Sequence, residues 1–250
     1  MRYVYAGDRQ IAVNILKYLL DEGLPPLALL LEDEKKASHN RELQALVKTL
    51  QIPVFVGDEF KDYKAVEYFK RVQPHYFLGI HFPKIIPKYI LEIPLIGFLN
   101  LHPAYLPYNR GWHTPSWALL EKTPFGATLH FMEAELDCGD IVHQKRLVPT
   151  PDDTAHSLYQ KVLQLEEEVF REALPSLRSL NPPRKPQEGS GTLHRKSDLQ
   201  KVAQIDLNAN VRAGDLIDKL RALTTNRWEE GAWFEVDGKR YYVQIVIRSA

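Results

Sequence analysis

Short apolar runs alternate with helix-patterned stretches through the first part of the chain. Arg2 to Ala6 predicts a strand. Gln10 to Leu20 predicts a helix, because Ile11, Ile15, Tyr18 and Leu19 recur on one face of a helical period. Leu27 to Leu31 is a continuous apolar run, followed by a charged helical segment through Leu50. Pro53 to Gly57, Tyr76 to Ile80 and Gly97 to Leu101 supply three more strands of the kind buried on both faces. Strands and helices in alternation predict an α/β fold, a Rossmann-like, doubly wound and mostly parallel sheet. Such sheets hold ligands beyond the carboxyl ends of their strands, and Gly97–Leu101 runs straight into His102.

After Tyr105 the rhythm changes. Ala127 to Met132 and Ile141 to Val148 predict two strands flanking a turn at Asp137–Asp140. A helix then begins near Asp153 or Thr154, either a good cap. Leu158, Val162, Leu165 and Val169 mark its core face, while Glu166, Glu167 and Glu168 are expected on a solvated face. The stretch NPPRKPQEGSG, Asn181 to Gly191, is rich in proline, glycine and charge and reads as a linker. Beyond it, Val236-Asp237-Gly238-Lys239 signals a hairpin between Ala232–Glu235 and Arg240–Ile247, with Tyr241, Val243, Ile245 and Ile247 on one face. The expected organisation is a large domain over residues 1–180, a linker over 181–191 and a small β-containing carboxyl-terminal region over 192–250, marginal as an independent fold.

Charge narrows the partners. Lys plus Arg is 32 and Asp plus Glu is 32, so the net charge is zero, which argues against a nucleic-acid partner. The single cysteine, Cys138, cannot close an intrachain disulfide, and the amino terminus lacks the apolar stretch of a signal peptide. No apolar run approaches the roughly 20 residues that span a bilayer. The expectation is a cytoplasmic protein without a membrane partner. Trp228, Trp233, Phe234, Tyr241 and Tyr242 are more rings than a small hairpin buries alone. They predict self-association, most simply as a homodimer, with packing back on the larger domain as the alternative.

Candidate chemistry concentrates in two segments. In FLNLHPAYLPYNRG, Phe98 to Gly111, Asn100 and His102 share one face of a strand end because strand side chains alternate. Asn100 can offer an amide N–H to a developing oxyanion, and His102 can move a proton near neutrality. The alternative is structural, with Asn100 capping a turn and His102 hydrogen-bonded in the core. In HFMEAELDCGDIVHQ, His130 to Gln144, Asp137 and Asp140 bracket a glycine turn. Asp137 could orient and charge-stabilise His102, or both aspartates could serve Asx-turns. No ligand spacing calls for a metal. No Gly-x-Gly-x-x-Gly follows the first strand, which continues as AGDRQIAV, so a nicotinamide enzyme is disfavoured.

Together the two segments resemble the 10-formyltetrahydrofolate-dependent formyltransferase family. Its signature is Asn-x-His-x-x-x-Leu-Pro followed by an Asp-x-Gly turn, matched here by Asn100, His102, Leu106–Pro107 and Asp137–Cys138–Gly139, over most of residues 1–180. Ala104–Tyr105 departs from the family's usual residues. The resemblance implies direct transfer of a formyl group from 10-formyltetrahydrofolate, a co-substrate, to an amine, with Asn100, His102 and Asp137 catalytic. It places the folate among Phe82, Pro83 and Ile85 and along Leu136, Cys138, Gly139 and Asp140; for Phe82 and Ile85, plain core packing is the alternative. Cys138 reads as a small filler and not as a nucleophile.

The carboxyl-terminal region bears on the acceptor. From Pro186 to Ala250 there are 10 Lys/Arg against 9 Asp/Glu, a poor match to tRNA. TLHRKSDL, LIDKLRAL and GAWFEVDGKRYYV are similar to the extension of the nucleotide-sugar N-formyltransferases, whereas GWHTPSWAL and GATLHF resemble the glycinamide-ribonucleotide branch. The resemblance therefore favours a nucleotide-linked amino sugar of the 4-amino-4,6-dideoxyhexose type, as in lipopolysaccharide biosynthesis. Methionyl-tRNA, glycinamide ribonucleotide and simple hydrolysis of the folate are the alternatives. Tyr105, Tyr108, Arg110 and His113 are candidates for the nucleotide sugar, Arg110 through a diphosphate unless it braces its own turn.

Overall fold

The computed structural model describes residues 1–249. Its first elements are β1 (Tyr3–Gly7), α1 (Arg9–Asp21), β2 (Ala28–Leu31), α2 (Asn40–Val47), β3 (Val54–Val56), α3 (Tyr63–Val72), β4 (Tyr76–Ile80), α4 (Lys88–Leu91) and β5 (Gly97–His102). There follow β6 (Arg110–Gly111), α5 (Thr114–Glu121), β7 (Phe125–Phe131), β8 (Ile141–Leu147) and α6 (Ala155–Arg178). The chain ends with β9 (Leu193–His194), α7 (Asp198–Val202), α8 (Ala213–Ala222), β10 (Ala232–Val236) and β11 (Lys239–Val243). Two compact units result. The first comprises Met1–His102, Thr128–His143 and Glu166–Gln187; the second comprises Pro103–Ala127, Gln144–Leu165 and Glu188–Ala250. Among the described residues no helix is long and apolar enough to cross a membrane.

The main sheet has the order β3-β2-β1-β4-β5-β7-β8. Strands β1 to β5 pair in parallel, and β7 runs antiparallel to β5. Every residue of β1, β2 and β4 is buried, as continuous apolar runs require. In the first unit Phe60, Phe69, Phe77 and Phe98 form the centre of the core, with Phe77 and Phe98 stacked at 5.2 Å. Burying a ring of this size stabilises by about 1.5–3 kcal/mol. The sheet thereby presents the carboxyl ends of β1, β2, β4 and β5 along one edge.

Four expectations need correction in detail. Glu166 is not solvated: it is fully buried, and its two carboxylate oxygens lie 2.9 and 3.0 Å from His81 Nε2. Leu165 is only half-buried, and Phe170, Ala173, Leu174 and Leu177 extend the core face instead. The second hairpin strand stops at Val243, four residues before Ile247. The stretch expected to be a linker is anchored along part of its length, since Lys185 and Ile141 exchange backbone hydrogen bonds in the first unit.

In the second unit the carboxyl-terminal region holds α7 and α8 as well as the hairpin β10–β11. Leu199, Ala203, Leu223 and Ala232 share their core with Trp117 of α5, so the region does not bury its apolar side chains alone. Thr154 caps α6 as expected, with Ser157 N–H donating to its hydroxyl at 3.3 Å and its own N–H donating to the Ser157 hydroxyl at 3.0 Å. Trp228 and Tyr241 remain 57% and 46% exposed, which leaves apolar surface on this region.

Candidate active site

Strand β5 carries Asn100 and His102 on the same face, two residues apart. Register then decides their neighbours. Asn100 lies between Gly79 of β4 and His130 of β7, and His102 lies beside Thr128. His130 Nδ1 donates to the Phe131 carbonyl at 2.8 Å, because a carbonyl can only accept. Its other nitrogen, Nε2, is 3.4 Å from Asn100 Nδ2 and 3.6 Å from Asp137 Oδ1. The second Asp137 oxygen stands 3.5 Å from His102 Nε2. One carboxylate therefore faces two imidazoles, whose rings are 6.2 Å apart and nearly perpendicular. His130 is fully buried, and the side chains of His102 and Asp137 are less than a tenth exposed. Inside so dry a site, charges and dipoles act more strongly than in water.

The turn that delivers Asp137 is held tightly. Asp137 has φ 53°, in the left-handed region that aspartate tolerates better than most residues. Gly139 is required by space: a Cβ there would sit 2.1 Å from the Phe131 carbonyl oxygen. Phe131 N–H donates to the Asp140 carbonyl at 2.9 Å, closing the turn onto the end of β7. The Gln187 amide Nε2 donates to the carbonyls of Asp137 and Gly139 at 2.8 and 2.9 Å. Cys138 is half-buried with its thiol 3.3 Å from the Leu136 carbonyl, and Leu136 is 52% exposed.

The segment after β4 is pinned at both ends. His81, at φ 52°, is tied to Glu166, and Lys84 lies 3.0 Å from both Glu32 and Asp33. Between them Phe82 packs edge-to-face on Phe60 in the core, so its ring is largely committed to packing. Pro83 is exposed and Ile85 is 87% exposed, so neither is a core residue.

The remaining candidates belong to the second unit. Leu106–Pro107 is a cis peptide. Tyr105, Tyr108 and Arg110 are half-buried, and the Arg110 backbone N–H donates to the Thr192 carbonyl as β6 pairs with β9. His113 precedes α5, with Nδ1 3.8 Å from Glu230. Burial pulls the His113 pKa down against the opposing pull of Glu230. Its ring lines a hollow of about 310 Å³ shared with Lys196, Gln200, Trp233 and Arg240.

Two residues at the site escaped the reading of the sequence. His130 carried a signal: Thr128 and His130 are polar positions, two apart, in a strand that is otherwise apolar and is buried throughout. Gln187 carried none, being one polar residue in a proline- and glycine-rich stretch.

A family model described as formyl transferase matches residues 28–174, and one described as N-formyltransferase dimerization C-terminal domain matches residues 198–249. The dTDP-4-amino-4,6-dideoxyglucose formyltransferase of Mycobacterium bovis is 29% identical over 171 residues, 68% of this chain and 72% of that relative. The methionyl-tRNA formyltransferase of Clostridioides difficile is 28% identical over 220 residues, 85% of this chain and 71% of that relative. Among solved structures, a sugar N-formyltransferase from Shewanella superposes with a TM-score of 0.83 at 22% identity, over 100% of this chain and 99% of that one. An N-formyltransferase from Helicobacter canadensis, in complex with folinic acid and dTDP-3-aminofucose, superposes with a TM-score of 0.69 at 21% identity, over 94% of this chain and 84% of that one. At such identities the two structures speak for the fold alone. The formyl transferase match, which spans more than half of the chain, carries the assignment: the chain belongs to the formyl transferase family and is an enzyme that moves formyl groups.

Proposed function

We propose that the chain transfers the formyl group of 10-formyltetrahydrofolate to the amino group of a nucleotide-linked amino sugar of the 4-amino-4,6-dideoxyhexose type. The observation that carries the chemistry is the convergence of Asn100, His102, His130 and Asp137 at the end of β5 in a chain of this family. The neutral amine attacks the formyl carbon, and charge collects on the formyl oxygen. Asn100 donates to that oxygen, a contribution of about 10²–10³ in rate for donors of this kind. As the new C–N bond forms and the bond to the folate nitrogen breaks, one proton leaves the amine and one reaches the departing nitrogen. His102, charge-stabilised by Asp137, carries that proton, which is worth roughly 10²–10⁴. The exposed Pro83, Ile85 and Leu136 and the backbone of Cys138, Gly139 and Asp140 suit a folate ring, with Phe82 behind them.

The acceptor is argued from the carboxyl-terminal match and from the M. bovis relative, which takes its name from an amino-sugar nucleotide. Tyr105, Tyr108, Arg110 and His113 are assigned to its base, sugar and diphosphate. The exposed rings of Trp228, Tyr241 and Tyr242 are assigned to a homodimer contact, in a protein of the cytoplasm. The test is a panel of amino-sugar nucleotides offered with 10-formyltetrahydrofolate, following release of tetrahydrofolate. One 4-amino-4,6-dideoxyhexose nucleotide is expected to turn over well. Efficient formylation of charged initiator tRNA, with every sugar nucleotide inert, would overturn the acceptor and leave the chemistry standing.

A further inference from the structure

Gln187 lies in the stretch 175–197, between the two family matches. Its side-chain amide has two hydrogens, and each is spent on a carbonyl of the Asp-x-Gly turn, that of Asp137 at 2.8 Å and that of Gly139 at 2.9 Å. The residues just before it tie the same segment to the sheet. Lys185 and Ile141 exchange backbone bonds at 2.8 and 3.0 Å. The Arg184 guanidinium lies 3.5 Å over the Phe131 ring, donates to the Ile96 carbonyl at 2.8 Å and reaches Asp140 at 3.8 Å. Residues 184–187 thus form a strap whose last side chain grips the turn.

The turn has reason to be gripped. Asp137 sits in the left-handed region, and Gly139 is pressed against the Phe131 carbonyl. Conformations of this sort persist only where their surroundings over-determine them. Two carbonyls of one short turn that meet a single bivalent donor have their peptide planes fixed relative to each other, and with them the direction of the side chain between. We propose that Gln187 is a positioning residue for formyl transfer: it sets the turn so that the Asp137 carboxylate stands between His102 and His130, which makes the connecting strap part of the active centre. The inference rests on the proposed catalytic role of Asp137.

Acting through orientation, Gln187 should affect turnover and not binding; a misplacement on the order of 1 Å can cost about 10² in rate. In Gln187→Ala, kcat is expected to fall about ten- to a hundredfold with both KM values within about twofold of the starting protein. Gln187→Glu, equal in size but without an N–H donor, should lose at least as much. In the Asp137→Ala background, Gln187→Ala should cost nothing further, because residues acting as one unit are non-additive. Hydrogen–deuterium exchange supplies a readout that needs no acceptor. Amides of residues 133–140 should exchange faster in Gln187→Ala, while those of β1 and β4 keep their protection. Full activity in Gln187→Glu, additive losses with Asp137→Ala, or unchanged exchange in the turn would each overturn the inference. Failure of every sugar nucleotide with the unaltered protein would strike the proposed acceptor alone, since the exchange result stands apart from it.

Discussion

Two buried aspartates, one in each compact unit, are held in opposite ways. Asp153, just before α6, is 2% exposed and receives the Thr150 N–H and hydroxyl, the Ser157 hydroxyl and the Lys161 ammonium at 2.7–2.8 Å. Burial pushes its pKa up, but Lys161, Thr150 and Ser157 more than reverse this and hold it at about 2. Asp137 faces two imidazole nitrogens at 3.5 and 3.6 Å. A backbone N–H, two hydroxyls and an ammonium all donate to Asp153, so that cluster is a knot. The groups facing Asp137 are imidazoles, and passing a proton is the role proposed for this arrangement. Burial alone does not separate the carboxylate proposed to react from the structural one; the chemistry of the facing groups does.

The largest expected difference lies in turnover. Asn100→Ala, His102→Ala and Asp137→Ala should each lower kcat at least about 10²-fold with little change in thermal midpoint. Asp153→Asn should show the reverse, lost stability with kcat per folded molecule retained. Near-normal turnover in His102→Ala would break the contrast at its root.

A third buried carboxylate sharpens the comparison. His81→Ala leaves the buried Glu166 carboxyl without this hydrogen-bond partner, a loss of about 1–3 kcal/mol. Urea unfolding of the variant measures this directly, and a loss below about 1 kcal/mol would mean that the pair holds little of the first unit together.

Asp153 predicts an effect with a defined pH window. A folded-state pKa held below the ordinary carboxylate value contributes stability that is present above that value and is lost as pH falls through the folded one. The displacement from 3.8 to about 2 corresponds to about 2 kcal/mol. The stability gap between the unaltered protein and Asp153→Asn should therefore be full at neutral pH and close between about pH 4 and pH 2. A gap that stays constant to pH 2 would show that the knot acts by packing and not by charge. Smallest of all, Arg110→Ala should raise KM for the sugar nucleotide about fivefold to tenfold while that for the folate holds, as expected for one lost contact to a diphosphate. Equal rises in both would remove Arg110 from acceptor binding.

The sheet was legible because its inner strands are apolar on both faces; Tyr76–Ile80 begins and ends where the pattern predicts. Asn100 and His102 were legible together because a strand's alternation is local. His130 was not assigned, since its place beside Asn100 depends on which strand β5 pairs with and in what register, a tertiary fact. Glu166 was misread although the helical period spoke for it: Leu158, Val162 and Glu166 recur every four residues on one stripe, and the run of three glutamates masked it. The strap was hidden for a plainer reason. Proline and glycine reveal where a chain departs from helix and strand, and say nothing about whether the departing backbone is docked.

The strap also limits where this chain could be recombined with its relatives. A crossover at Asn181, where the composition invites one, would exchange Arg184, Lys185 and Gln187 along with the carboxyl-terminal segment and leave the Asp137 turn to a foreign partner. A crossover at Gly191 would disturb a glycine whose added Cβ would meet the Pro107 carbonyl at 2.1 Å. Between these constraints lie Glu188, Gly189 and Ser190, all exposed, with open space around Gly189. Chimaeras joined inside that three-residue window keep the strap with the Asp137 turn it grips, while the exchanged segment must still fit Trp117 of α5, with which it shares a core.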